Sequence, residues 1–138
     1  MIKSISIVML AISMISMTAC NAQSSGDTGA QEGVYQVLNV DQYEKEISEK
    51  EVLIVDVRTP NEYSSGHIEG AVLVDVTAAS FDQKIQEYAK DQPVYIYCRS
   101  GSRSAGAMRK MKAMGFTEVY DLRGGVMNWS KNGKPLVK

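Results

Sequence analysis

The stretch YIYCRSGSRSAGAM, residues 95–108, sets the fold of this chain. An apolar run of strand type, QPVYIYC, ends at Cys98. Arg99, Ser100, Gly101, Ser102, Arg103 and Ser104 follow, all small, hydroxylated or basic, and lead into the helix-forming segment SAGAMRKMKAMG. A nearly continuous apolar strand is one covered on both faces, as in a parallel sheet. Strand, loop and helix in that order form the crossover unit of such a sheet, whose sites lie beyond the carboxyl ends of its strands. Cys98 occupies that position.

The same alternation extends in both directions. VYQVLNV (34–40) reads as a first strand, and Asp41 stands where an N-cap would, ahead of the polar helix QYEKEISEK. EVLIVDV (51–57) is a buried strand and TPNEY (59–63) a turn with a helical start. GHIEGAVLVDV (66–76) carries another apolar run punctuated by glycines. SFDQKIQEYAK (80–90) places Phe81, Ile85 and Tyr88 at helical spacing, with Ser80 as its cap. Met108, Met111 and Met114 repeat that spacing after the cysteine loop, FTEVYDL (116–122) is a last strand, and GGVMNWSKNG (124–133) a last helix. The expected architecture is α/β, a mainly parallel sheet with helices on both faces.

The loop has the means to hold an anion. Unpaired N–H groups at a helix N-terminus point outward, and the helix dipole favours negative charge there. A loop curled around the sulfur aims further amides at it. Arg99 and Arg103 add positive charge, Gly101 allows positive φ and close approach of a ligand, and Ser100 and Ser102 supply hydroxyl donors. Each of these favours thiolate over thiol, the nucleophilic form. One cysteine and one histidine, Cys98 and His67, do not make a metal-ligand set from residue 34 onward, and no serine nucleophile elbow is present.

Composition limits the partners. The 138-residue chain has room for one ordinary domain, and its net charge of −1 argues against a general nucleic-acid binder. Residues 1–19 read as a secretory leader: Lys3 is followed by an uncharged, serine-diluted apolar run too short to span a bilayer. MTAC (17–20) resembles the bacterial lipoprotein box, with Met17 where leucine is usual, so Cys20 is the expected lipidation site and membrane anchor. Residues 20–33 lack any large apolar side chain and read as a flexible tether, leaving residues 34–138 as the domain. The expected location is the cell envelope, in the periplasm or on the outer face of a membrane.

Three separated segments carry a family resemblance: VDVRTPNEYSSGHIEGA (55–71), YCRSGSRS (97–104) and GFTEVYDLRGGVMNW (115–129). In order and spacing they resemble a single rhodanese-like domain. The resemblance implies a five-stranded parallel sheet and a sulfurtransferase whose Cys98 takes a sulfane sulfur from a donor such as thiosulfate. It passes that sulfur, as a persulfide, to a thiol or cyanide. It also implies that the backbone from Arg99 to Ser104 cradles the persulfide and that Arg99 and Arg103 bind an anionic donor. Asp56 and Arg58 would brace the loop, Arg58 would pair with Glu62, and His67 and Trp129 would have packing roles. No cofactor is implied, and a monomer or weak oligomer is expected.

Two other functions fit the same residues. Cysteine phosphatases and arsenate reductases of this fold place five residues between cysteine and arginine. Here only Arg99, Ser100, Gly101 and Ser102 separate Cys98 from Arg103, and Ser104 holds the later position. The shorter loop makes a smaller cradle, which suits one sulfur better than a tetrahedral oxyanion. A non-enzymatic sulfur-relay or partner-binding module is the second alternative.

Overall fold

The computed structural model describes residues 32–138. The expected leader, the lipidation site Cys20 and most of the tether lie outside the described residues. Five strands and five helices alternate: β1 (Val34–Leu38), α1 (Val40–Glu49), β2 (Leu53–Asp56), α2 (Pro60–Ser65), β3 (Val72–Leu73), α3 (Phe81–Ile85), β4 (Val94–Tyr97), α4 (Ser102–Ala113), β5 (Glu118–Leu122) and α5 (Gly125–Lys131). The strands form one sheet in the order β1-β5-β4-β2-β3, and every pairing is parallel.

Alternation along β4 sends its side chains to two separate cores. Ile96 and Cys98 face one side, with Val55, Val119, Ala107 and Met111. Tyr95 and Tyr97 face the other, with Tyr43, Leu122, Val126 and Trp129. Both faces are thus covered, as the unbroken apolar run of β4 requires. Trp129 closes the second core edge-on to Tyr43, its indole N–H donating to the Pro135 carbonyl at 2.9 Å.

Two helix starts differ from the expected ones. Asp41 does not cap α1; Asn39 does. The Asn39 side chain accepts from the Gln42 amide at 2.9 Å, and the Gln42 side chain accepts from the Asn39 amide at 3.2 Å. This reciprocal box ends β1 at Leu38 and leaves Asp41 in the first turn, where its charge complements the helix dipole. Ser80 stands at the start of α3 but makes no capping hydrogen bond, and α3 ends at Ile85. Beyond it the chain tightens to Glu87 N–H to Lys84 and Tyr88 N–H to Ile85 bonds, a three-residue spacing that does not continue an α-helix.

Candidate active site

β4 stops at Tyr97, so Cys98 is the first residue beyond the central strand of the sheet. The four-residue bend Cys98–Gly101 then turns into α4. Gly101 makes the turn with φ of +97°, a left-handed conformation costly to other residues, and this aims its amide back at the sulfur. The Gly101 N–H lies 3.1 Å from Cys98 Sγ, and the Ser104 hydroxyl 3.5 Å from it. The same hydroxyl lies 3.2 Å from the Gly101 carbonyl. Cys98 is only 1% exposed. Burial pushes its thiol up. The Ser104 hydroxyl and the amides of Ser104, Ser100 and Gly101 pull it down, and the balance lies below the ordinary thiol value. The loop therefore stabilises a sulfur anion with donors fixed by the backbone.

A second helix holds the loop from behind. Two amides at the start of α5 donate to loop carbonyls, Val126 N–H to Cys98 at 2.9 Å and Met127 N–H to Arg99 at 3.1 Å. This contact needs Gly124 and Gly125, both with positive φ, which bring the α5 backbone against the loop. Outside the loop a groove of about 430 Å³ is lined by Arg58, Glu62, Arg99, Val126, Met127 and Leu136. Arg99 is exposed and has no acidic partner among the described residues, so its charge is available to an anion in the groove.

The one expected ion pair is replaced by two others. Arg58 does not pair with Glu62. Its guanidinium forks onto Asp56, Nη2 to Oδ2 at 2.6 Å and Nε to Oδ1 at 2.9 Å, and Nη2 also donates to the Gly66 carbonyl at 2.7 Å. Asp56 and Arg58 therefore make their bonds to each other and to the turn after α2, rather than to the cysteine loop. Glu62 is taken by Arg103, with both guanidinium nitrogens on its carboxylate at 2.6 and 2.8 Å. Arg103 is thus already paired, and Arg99 is the loop cation without an acidic partner among the described residues. His67 stacks on Tyr63 at 3.8 Å, and its backbone bridges to Val137. It is a packing residue.

Sequence reading missed Glu62 as a partner of the loop. The signal was present as a capping box, Thr59 to Glu62, which holds the carboxylate through the Thr59 hydroxyl at 2.9 Å. The Arg103 hydrogen bonds are the main pull that brings the Glu62 carboxyl down to about 2, opposed by burial and helped by the Thr59 amide. A carboxyl depressed on folding adds stability that is full above its unfolded value near 4.5 and lost as pH falls toward 2. Glu62→Gln should therefore flatten the stability curve between pH 4.5 and 2, measured by urea unfolding at each pH. An unchanged acid slope would show that the pair contributes nothing to folding.

A buried cysteine at the carboxyl edge of a parallel sheet, ringed by amides and backed by two helix starts, defines a cysteine-anion protein of the α/β class. The rhodanese-like domain family model matches residues 39–132, and the chain belongs to that family. A sulfurtransferase of Allochromatium vinosum is 39% identical over 88 residues, covering 64% of this chain and 80% of that protein. The thiosulfate sulfurtransferase GlpE of Pseudoalteromonas translucida is 37% identical over 84 residues, covering 60% of this chain and 77% of that protein. A solved rhodanese-related protein from Thermoplasma volcanium superposes with a TM-score of 0.66 at 25% identity, over 75% of this chain and 98% of that one. These relatives place the chain in a sulfurtransferase family with the expected α/β fold.

Proposed function

We propose that this domain transfers a sulfane sulfur from a small anionic donor, thiosulfate in the simplest case, through a persulfide on Cys98. The observation that carries the reading is the Gly101 amide 3.1 Å from a buried sulfur whose thiol is held below its ordinary value. The Cys98 thiolate attacks the outer sulfur of thiosulfate. The sulfur–sulfur bond of the donor breaks and sulfite leaves with its electron pair. The product is a persulfide anion on Cys98, with the new charge on the terminal sulfur. The loop amides from Arg99 to Ser104 are the donors available to that charge, and Arg99 is the cation available to the donor's sulfonate end. A thiophile then attacks the terminal sulfur. Cyanide leaves as thiocyanate, and a thiol acceptor leaves as a persulfide; either releases the Cys98 thiolate.

The number of loop residues supports sulfur over phosphate. Only four residues separate Cys98 from Arg103, and Arg103 is committed to Glu62 rather than free to grip an oxyanion. The same reading takes residues 1–19 as an export leader cleaved before a lipidated Cys20, with the domain in the cell envelope.

The test combines thiosulfate and cyanide, with thiocyanate formation and intact mass as readouts. Cys98→Ser should lose roughly a thousandfold or more in turnover, and only the wild type should gain one sulfur. Equal turnover by both proteins would overturn the proposal. So would Cys98-dependent release of an aryl phosphate without sulfur uptake.

A further inference from the structure

The groove beside the cysteine loop is larger than thiosulfate and cyanide require. Each of those has only a few heavy atoms, whereas about 430 Å³ lies in the range of pockets that hold an organic molecule. Its walls also differ from those of a site for an inorganic ion alone. Met127 is 54% exposed and Leu136 37%, and the two line this groove with Val126 rather than standing singly on the surface.

The apolar walls are held in place. Leu136 belongs to the chain after α5, which is pinned on either side of it. The Pro135 carbonyl accepts from the Trp129 indole at 2.9 Å, and Val137 exchanges two backbone hydrogen bonds with His67, each 2.9 Å. Between these anchors Leu136 lies on the backbone of Gly66, where an added methyl would stand 3.5 Å from its Cβ and Cδ1. Met127 comes from the first turn of α5, where its amide is tied to the Arg99 carbonyl. Its side chain is unbranched and adapts to irregular partners. One wall is thus fixed and another adaptable, and both line the same groove as Arg99.

The charges of the groove reduce to one. Arg58 is forked onto Asp56, and Glu62 is held by Arg103. That leaves Arg99, so the complementary occupant is an anion with an apolar body. In the sulfur transfer set out above, sulfite has left by the time the acceptor attacks, and Arg99 is then open to a second anionic group.

We propose that the groove binds the sulfur acceptor, and that this acceptor is a thiol with an aliphatic chain and a terminal carboxylate. Arg99 takes the carboxylate, and Val126, Met127 and Leu136 cover the methylenes. The acceptor loses its thiol proton to solvent, and its thiolate attacks the terminal sulfur of the Cys98 persulfide. The sulfur–sulfur bond on Cys98 breaks and its electron pair returns to Cys98 as thiolate. The transferred sulfur leaves as a persulfide anion on the acceptor. This deepens the reading of Cys98 as the sulfur carrier and rests on it.

The test has two arms, both on the full chain. In the first, protein loaded from thiosulfate is discharged by 3-mercaptopropionate, 6-mercaptohexanoate or the neutral 6-mercaptohexanol, and loss of the added sulfur is followed by intact mass. The long acid should act about tenfold faster than the short one, at about twofold for each half-buried methylene added. It should act about fivefold faster than the alcohol, which offers Arg99 no charge. The second arm needs no sulfur. Cys98 is alkylated by iodoacetamide or by its N-(5-carboxypentyl) derivative, and each rate is read at the Cys98 peptide by mass. The ratio of the two rates, normalised to the same ratio for free cysteine, cancels any change in the thiolate itself. It should favour the derivative about fivefold in the wild type and fall to about one in Leu136→Ser and in Arg99→Gln. Leu136→Met, still apolar, should retain it. Both positions are exposed, so neither substitution opens the core. A wild-type ratio near one, a ratio kept by Leu136→Ser, or equal discharge by the long acid and the alcohol would each overturn the proposal. Failure of the sulfur-transfer reading would look different. Thiosulfate would then load no sulfur and the acceptor assignment would fall with it, while the alkylation ratio would still report the ligand class of the groove.

Discussion

Gly125→Ala should unfold this domain at a markedly lower temperature and raise the pH at which Cys98 is alkylated by iodoacetamide. A methyl at that position would stand 2.3 Å from the Cys98 carbonyl oxygen and 2.6 Å from the Arg99 carbonyl carbon and oxygen. All three are backbone atoms, so no rotamer change relieves the overlap. The conformation alone, φ of +59°, costs an alanine about 1–2 kcal/mol. The displacement costs more, because it separates the start of α5 from the loop. The Val126 and Met127 amides would lose the Cys98 and Arg99 carbonyls, at about 1 kcal/mol for each bond and more for any group left buried and unpaired. The expected loss is about 3–5 kcal/mol, or about 15 °C or more in Tm for a domain of this size. Gly101→Ala is the control for strain without overlap. Its added methyl would meet nothing closer than Gly124 N at 3.5 Å, so it should cost about 1–2 kcal/mol. A Gly125→Ala protein as stable as Gly101→Ala would show that α5 can shift without disturbing the loop.

That contact explains why part of the site was legible in the sequence and part was not. The position of Cys98 follows from local rules: an apolar strand, a glycine and a helix start place the thiol at the sheet edge whatever the rest of the chain does. The Gly124-Gly125 pair was visible in its motif, but its role was not. It depends on β5 lying beside β4, which leads α5 back to the carbonyls of the cysteine loop. Glu62 and Arg103 stand 41 positions apart, so only the folded sheet brings them together. Proximity along the chain pointed instead to Arg58 with Glu62. Asp56 prevails because it ends β2 and its Oδ1 accepts the Arg58 amide at 2.9 Å, which sets the fork for the guanidinium. The Asn39 cap was missed for a related reason. Val40 extends the apolar pattern past the true end of β1, yet its side chain is the first buried contact of α1. Asp121 is a single acid in the strand EVYDL, and nothing in that pattern tells a surface carboxylate from a buried one.

Arg58→Leu should produce the other large effect, on stability. Asp56 is 0% exposed and Arg58 5%, so the pair is held out of water and its favourable energy depends on both members. Removing the guanidinium takes the Asp56 charge's only cationic partner among the described residues and leaves it the Arg58 amide at 2.9 Å and the Tyr97 hydroxyl. Breaking a buried pair from one side costs about 3–5 kcal/mol, whereas removing both charges costs much less. The same substitution deprives the Gly66 carbonyl of its 2.7 Å donor and the Tyr97 ring of the cation 5.5 Å from its centre. Lysine should not rescue it, because a single ammonium cannot fork onto the carboxylate and reach Gly66 at once. The check is a double-mutant cycle by urea unfolding. Asp56→Asn keeps an acceptor for the Arg58 amide without the charge, so Asp56→Asn combined with Arg58→Leu should be more stable than Arg58→Leu alone. If the two losses simply add, or Arg58→Leu costs less than about 1 kcal/mol, the pair is not a coupled buried unit, and the turn at Gly66 is held by the bridge between His67 and Val137 instead.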